Sequence, residues 1–533
     1  MTGETLFEAI TEIRDGLVDE AARTRPARRR VSWLKFGAAA AALAVVIGLG
    51  AWAVRGGTGQ PSGFGPGNPG DPGDAPVGDN MQPPGGMEGG PGHGEGSVFS
   101  AYAGPVLPLA APSGGEELTA QRALTYDFSL WGEEEWGRST DLRVTDAYTL
   151  TNPTGEDKTV TLLYPFVSSL YELERDTPAL RVDGERAQTA LHAGGYAGGF
   201  QGVYGAEDAG PLLNLDTLHS WEGYRDLLAD GGYLEGAVGD RQDLSGVPVT
   251  VYEFTDYWGP EADSQADIPN PTIRAEFDLD YGKTTVLSYG FHGASIDPDS
   301  GHMMQSFSIP RSFDPENGDP FYLIVLGEDI ANLTTQGYAT GGADTTQTVE
   351  AGVTVKRYAS DLDSALRAAA ELMYEGWRWE GERPDFELYF RLMKKDLTAY
   401  GLISDEPVAR YDNGWLREMD LEVMDRVFYL EADVTIPAGG SVTVTAEFVK
   451  RASYDHFCGG GEAETRDVYG YDLVTRLGSG LSFTRQTAQA VNTQYVRVVR
   501  QNYGFDWESG ADIVELDPAV EHYYLEVRRA EEP

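Results

Sequence analysis

Two tryptophans, Trp131 and Trp136, bracket Glu133, Glu134 and Glu135 in the stretch DFSLWGEEEWG. Ring faces beside carboxylates are the materials of a sugar site: rings stack on the apolar faces of a pyranose, and carboxylates take its hydroxyls. Hydrolysis asks for more. It needs a carboxyl on each side of the glycosidic bond, roughly 5 to 9.5 Å apart, a separation that a linear sequence does not set. Similar aromatic pairs recur at Trp221/Tyr224, Tyr257/Trp258 and Trp377/Trp379. Three readings stay open for Trp131 and Trp136: glycan contact, part of a glycoside hydrolase, or core packing.

A second candidate is ASIDPDSGHM, where Asp297 and Asp299 precede Ser300 and Gly301 like the opening of a calcium loop. The glutamate that closes an EF-hand is missing. An Asp-Pro-Asp-Ser-Gly turn accounts for the same residues. His456 and Cys458 supply two metal ligands, too few for a closed site. The lone thiol of Cys458 excludes an internal disulfide. Beyond the Gly/Pro-rich tract, His192, His219, His292, His302, His456 and His522 are scattered. There is no G-x-S-x-G, H-E-x-x-H, Walker loop or dinucleotide fingerprint. The reading is a non-enzymatic protein without a cofactor.

The elements that would position such residues begin with a hydrophobic run, Phe36 to Val54, flanked by Lys35 and Arg55. Nineteen helical residues span about 28 Å, enough for a hydrocarbon core of about 30 Å. A signal peptide usually has a shorter apolar region, although Ala51-Trp52-Ala53 would suit cleavage after Ala53. Arg23, Arg25, Arg28, Arg29, Arg30 and Lys35 precede the run, so the positive-inside rule keeps the N-terminus cytoplasmic and places the bulk outside. Residues 1–35 hold seven Lys/Arg against six Asp/Glu, so the remainder, with 33 basic and 79 acidic residues, carries a net charge of −46. Such a surface repels nucleic acid.

Within residues 1–35, Leu6, Ile10, Ile13 and Leu17 form one apolar helical stripe opposite Glu8, Glu12, Asp15 and Asp19. An acidic face does not suit an anionic membrane. The expectation is a docking helix for a cytoplasmic protein within residues 1–31. This layout of short acidic helix, Arg-rich hinge and Ala-rich span resembles a type of single-pass protein common among Firmicutes. Some relatives of that layout are anti-sigma regulators, so the resemblance implies a regulatory role.

Residues 55–96 are Gly/Pro-rich and predict a disordered tether. Beyond them the pattern is mainly β, an α+β chain of exported antiparallel β-sandwich domains with a helical hairpin inserted. The division is 97–355, 356–402 for the helices, and 403–533. Leu142, Val144, Tyr148 and Leu150 alternate with polar residues, as do Val160, Leu162, Tyr164 and Phe166 after NPTGED; this predicts a β-hairpin. Phe428 to Ile436 and Val442 to Phe448, joined by PAGGS, predict a second. Further strands are expected at Val247–Tyr257, Thr272–Leu279, Thr284–Phe291, Phe321–Leu326, Tyr495–Val499 and Tyr523–Val527. One helix is expected after an N-cap at Ser360, with Leu362, Leu366, Ala369 and Met373 inward. A second is expected from Pro384 to Gly401, with Phe386, Phe390, Met393 and Leu397 inward. The patterns Y-x-L-x-N-P and I-P-A-G-x-S-x-T-V are similar to those of exported bacterial Ig-like or fibronectin-like modules. The sequence thus reads as a single-pass, surface-exposed binding, sensing or regulatory protein with an extracellular protein or glycan ligand. The alternative is an envelope carbohydrate-binding protein or glycoside hydrolase.

Overall fold

The computed structural model describes residues 99, 101–132, 139–196, 221–229, 243–261, 268, 270–309, 318–341, 346–377, 379, 383–399, 402–403, 416–419, 421–454 and 467–530. The expected docking helix with Leu6, Ile10, Ile13 and Leu17, the run 36–54, the tract 55–96, Trp136, His219, His456 and Cys458 lie outside the described residues. No helix among the described residues is long and apolar enough to cross a membrane.

A strap, 101–111, leads into β1 (Thr119–Asp127), β2 (Leu142–Thr151) and β3 (Lys158–Ser168). After the one-turn helix α1 (Leu173–Asp176) come β4 (Ala179–Val182), β5 (Glu185–Arg186), β6 (Ala190–Tyr196) and helix α2 (Trp221–Ala229). The middle of the chain holds β7 (Pro248–Trp258), β8 (Thr272–Asp278), β9 (Thr284–Tyr289), β10 (Gly293–Asp297) and β11 (His302–Ser308). It continues through β12 (Phe321–Gly327), β13 (Ala331–Tyr338), β14 (Thr348–Val349) and β15 (Gly352–Asp361) to helices α3 (Leu362–Gly376) and α4 (Phe386–Ala399). Last come β16 (Arg426–Ile436), β17 (Ser441–Lys450), β18 (Ser453–Tyr454), β19 (Tyr469–Val474), β20 (Ser482–Val491), β21 (Val496–Gln501), β22 (Ile513–Glu515) and β23 (His522–Arg529).

The fold is mainly β and its strands pair antiparallel, with β1 and β20 a parallel exception. Both expected hairpins need correction. Their apolar phase does point inward: Tyr148, Leu150, Leu162, Tyr164, Leu430, Val434 and Val444 are buried, and Phe448 is half-buried. The strands, however, do not pair with their sequence neighbours. β2 pairs with β1 and β17, while β3 pairs with β16. Each segment is an arch crossing from a seven-stranded sheet (β22-β20-β1-β2-β17-β4-β5) to a three-stranded one (β3-β16-β6). Alternation fixes which side chains face the core, and the facing sheets of a sandwich show the same period as a hairpin. Asn152, fully buried, clasps the two arches together. Its Nδ2 donates to the carbonyls of Glu156 (2.8 Å) and Ile436 (3.1 Å), and its Oδ1 accepts from Thr154 N (3.0 Å).

The seven-stranded sheet packs on the three-stranded sheet in one core and on a four-stranded sheet (β18-β19-β23-β21) in another. The strap joins those two smaller sheets: Val106 bridges Leu473 of β19 in parallel, and Ala110 bridges Leu163 of β3. A second sandwich, β15-β7-β12-β9 against β10-β11-β8-β13-β14, closes around Phe254, Phe277 and Leu323. The other face of its four-stranded sheet, with Val251, Leu287 and Ile324, shares a core with α3, α4 and the first sandwich. The sheets therefore do not follow the linear division at 355 and 403, because strands between 119 and 196 share sheets with strands between 426 and 515. Asp361, rather than Ser360, caps α3, its carboxylate accepting from Ser364 N at 2.9 Å. Asp385 accepts from Leu388 N at 3.1 Å at the start of α4, just after Pro384.

Candidate functional site

Charged side chains inside the fold are the first place to look for chemistry. Arg122 Nε and Nη2 reach Asp146 at 2.8 and 2.7 Å, and the hydroxyls of Tyr148 and Tyr164 donate to the same carboxylate. Arg122 Nη1 donates to the carbonyl of Val474 at 2.7 Å. Arg426 meets Asp396 at 3.1 Å with both side chains buried. Lys450 Nζ donates to the carbonyl of Ala103 in the strap at 2.6 Å; burial and then neighbouring Arg451 push its ammonium down to about 8. The Tyr102 hydroxyl donates to Asp472, which also lies 3.2 Å from His522 Nε2. Burial first, and Asp472 second, hold that hydroxyl well above the usual tyrosine range. These groups hold strands and strap together. The cleft beside Lys450 and Arg451, lined by Leu107 and Phe166, leaves about 10 Å³ for the centre of a water, room for about one molecule.

A different arrangement stands at the helical hairpin. The last turn of α3 carries Tyr374, Trp377 caps its C-terminus, and Trp379 follows. Trp377 meets Tyr171 at 6.4 Å and Trp379 at 6.4 Å, ring centre to ring centre. Tyr374 touches Trp379 (5.5 Å), Phe386 (5.4 Å) and Tyr389 (5.5 Å). Three of the rings are tied down by hydrogen bonds. Trp379 Nε1 donates to the Tyr374 carbonyl at 3.0 Å, Tyr374 Oη to Pro384 at 2.7 Å, and Tyr389 Oη to buried Glu422 at 2.7 Å. Tyr171, Tyr374, Trp377, Trp379 and Phe386 remain partly exposed, with Tyr374, Trp379 and Phe386 packed against the core on one side, and Val423, next to Glu422, is 48% exposed. Around this rim Arg383 pairs with Glu375 (2.8 Å), Arg367 with Glu387 (2.7 Å) and Arg175 with Glu172 (3.1 Å).

The residues singled out by sequence fall as follows. Trp131 is 2% exposed; Tyr469 packs edge-on to its ring at 5.5 Å and Arg529 lies over it at 5.0 Å. Asp297 and Asp299 sit in the turn joining β10 to β11, where Ser300 Oγ donates to Asp297 Oδ2 at 2.7 Å. No group of three or more His, Cys, Asp or Glu side chains among the described residues is placed to hold a metal. Trp221 stacks on His522 at 5.0 Å, whereas Trp258 is 49% exposed on β7. Tyr257 joins a buried cluster with Phe307 and Phe321, and Tyr224 packs on Tyr102, whereas the rings gathered around Trp377 and Trp379 stay partly exposed. The buried charges went unread, yet each left a trace. Arg122, Asp146, Arg426 and Lys450 stand in the apolar phase of their strands, where an ion is tolerated only with partners.

No family model matches this chain, and no curated protein matches it. Among solved structures, one described as a candidate nutrient-binding protein of Legionella pneumophila aligns over 80% of this chain and 70% of its own, at 8% identity and a TM-score of 0.23. A likeness that loose has no bearing on fold or ligand.

Proposed function

We propose that the chain is a non-enzymatic binding protein of the cell surface, held by the run 36–54 with its N-terminus in the cytoplasm and the sandwiches outside, in a sensing or regulatory role. The observation that carries this reading is a contrast between two sets of side chains. The buried charges are committed to the fold, while the ring cluster at the helical hairpin is held in place and left partly exposed. Fixed rings with an open side suit recognition, because little ordering entropy remains to be lost on binding.

Protease added to intact cells tests the placement. The mass beyond Arg55 should be digested while the N-terminal stub stays protected. Soluble secreted protein beginning near Val54 would show that the run is removed and that nothing anchors the sandwiches.

A further inference from the structure

From the rim of rings and self-paired charges we infer that the helical hairpin binds a neutral, hydroxyl-rich glycan. The inference deepens the binding role proposed above. Three features select this ligand over other occupants. First, Tyr171, Tyr374, Trp377, Trp379 and Phe386 form one connected set, with neighbouring centres 5.4 to 6.4 Å apart. Being only part-exposed, they offer together on the order of 300 Å². A stable protein partner needs about 800 Å² on each side, so the rim is sized for a few sugar rings.

Second, three of the rim's described arginines are paired. Arg383, Arg367 and Arg175 each lie within 3.1 Å of a glutamate. An anionic ligand reaching for these three arginines would have to displace a carboxylate, and it would approach a chain of net charge −45. A neutral ligand meets neither obstacle, and the paired guanidinium and carboxylate groups keep spare donors and acceptors for hydroxyls. Third, the tyrosine and tryptophan polar atoms that hold Tyr374, Trp379 and Tyr389 are bonded within the protein. Their ring positions are set before a ligand arrives.

Affinity electrophoresis of the full-length chain in detergent, through gels containing xylan, hydroxyethylcellulose, mannan or soluble starch, tests the assignment, with pectate and hyaluronate as anionic probes. At least one neutral polymer should retard the protein. Trp377→Ala and Trp379→Ala should each weaken retardation about tenfold, Trp377→Phe should restore part of it, and Trp258→Ala, at an exposed tryptophan elsewhere, should leave it intact. Melting curves of the variants identify any that fail to fold, and Trp377→Phe decides the matter if the alanine variants do. Retardation by no neutral polymer, retention only by the anionic ones, or equal loss with Trp258→Ala would overturn the glycan assignment. Protection of the stub from protease is read separately, so the surface placement stands or falls by itself.

Discussion

Lys450 follows Val442, Val444, Ala446 and Phe448 in the inward phase of β17, and its ammonium is pushed from 10.5 down to about 8 by burial and Arg451. Below about pH 8 the folded and unfolded chains both hold the proton, and the cost of burying the ammonium is fully present. Between about 8 and 10.5 the unfolded chain binds more protons than the folded one, so the stability associated with this site rises with pH. Lys450→Met removes the titration. The stability of the wild type relative to this variant should therefore grow by on the order of 2 kcal/mol between about pH 7 and about pH 9.5, as read from urea midpoints. A difference that stays flat would mean that Lys450 titrates as a solvated lysine. The sequence carried half of this. A lysine in an apolar phase announces burial, but its partner, the carbonyl of Ala103, lies 347 residues away, and no local pattern encodes it.

At the scale of elements, the arches explain why strands were legible and pairings were not. The strands at Pro248–Trp258, Thr272–Asp278 and Thr284–Tyr289 lie within a few residues of the alternation that predicts them. Inward faces were legible for the same reason. NPTGED and PAGGS carry turn chemistry that serves a crossing between sheets as well as a hairpin. The hydroxyls of Thr151 and Ser441 lie 2.7 Å apart across β2 and β17. In a Cys458→Ser background, Thr151→Cys with Ser441→Cys should therefore oxidise to a disulfide in the folded protein and raise the melting temperature by several degrees. Thr151→Cys with Lys158→Cys, placed where a hairpin would bring the two strands together, should stay reduced. The opposite outcome in non-reducing gels would restore the hairpins.

Across the whole molecule, the distribution of strands is the feature that sequence hid most. Residues 142–168 and 426–450 read as separate units, yet their arches nest strand for strand. Neighbours in sequence are only usually neighbours in space, and nothing in either segment points to the other. The strap belongs to this scale as well, since it touches β19 and β3 and its carbonyls and amides are served by Lys450, Arg122 and Ser453. A chain beginning at residue 99 should melt like one beginning at residue 55. One beginning at residue 112 leaves Lys450 and Arg122 without their strap partners and should melt about ten degrees lower or fail to fold. Equal calorimetric transitions for the two would show that the strap contributes nothing to the joint.

The strap also stands in series with everything that precedes it. A pull arriving from the N-terminal side reaches first the pair of backbone bonds between Ala101 and Tyr454, then the Tyr102–Asp472 and Lys450–Ala103 contacts, then the pair linking Val106 to Asp472 and Val474. Drawn straight, the eleven residues 101–111 span at most roughly 36 to 40 Å. If the run 36–54 holds the chain as proposed, the sandwich would have two working radii about that point, a short one with the strap seated and a longer one with it drawn out, the step between them set by the length of one buried segment.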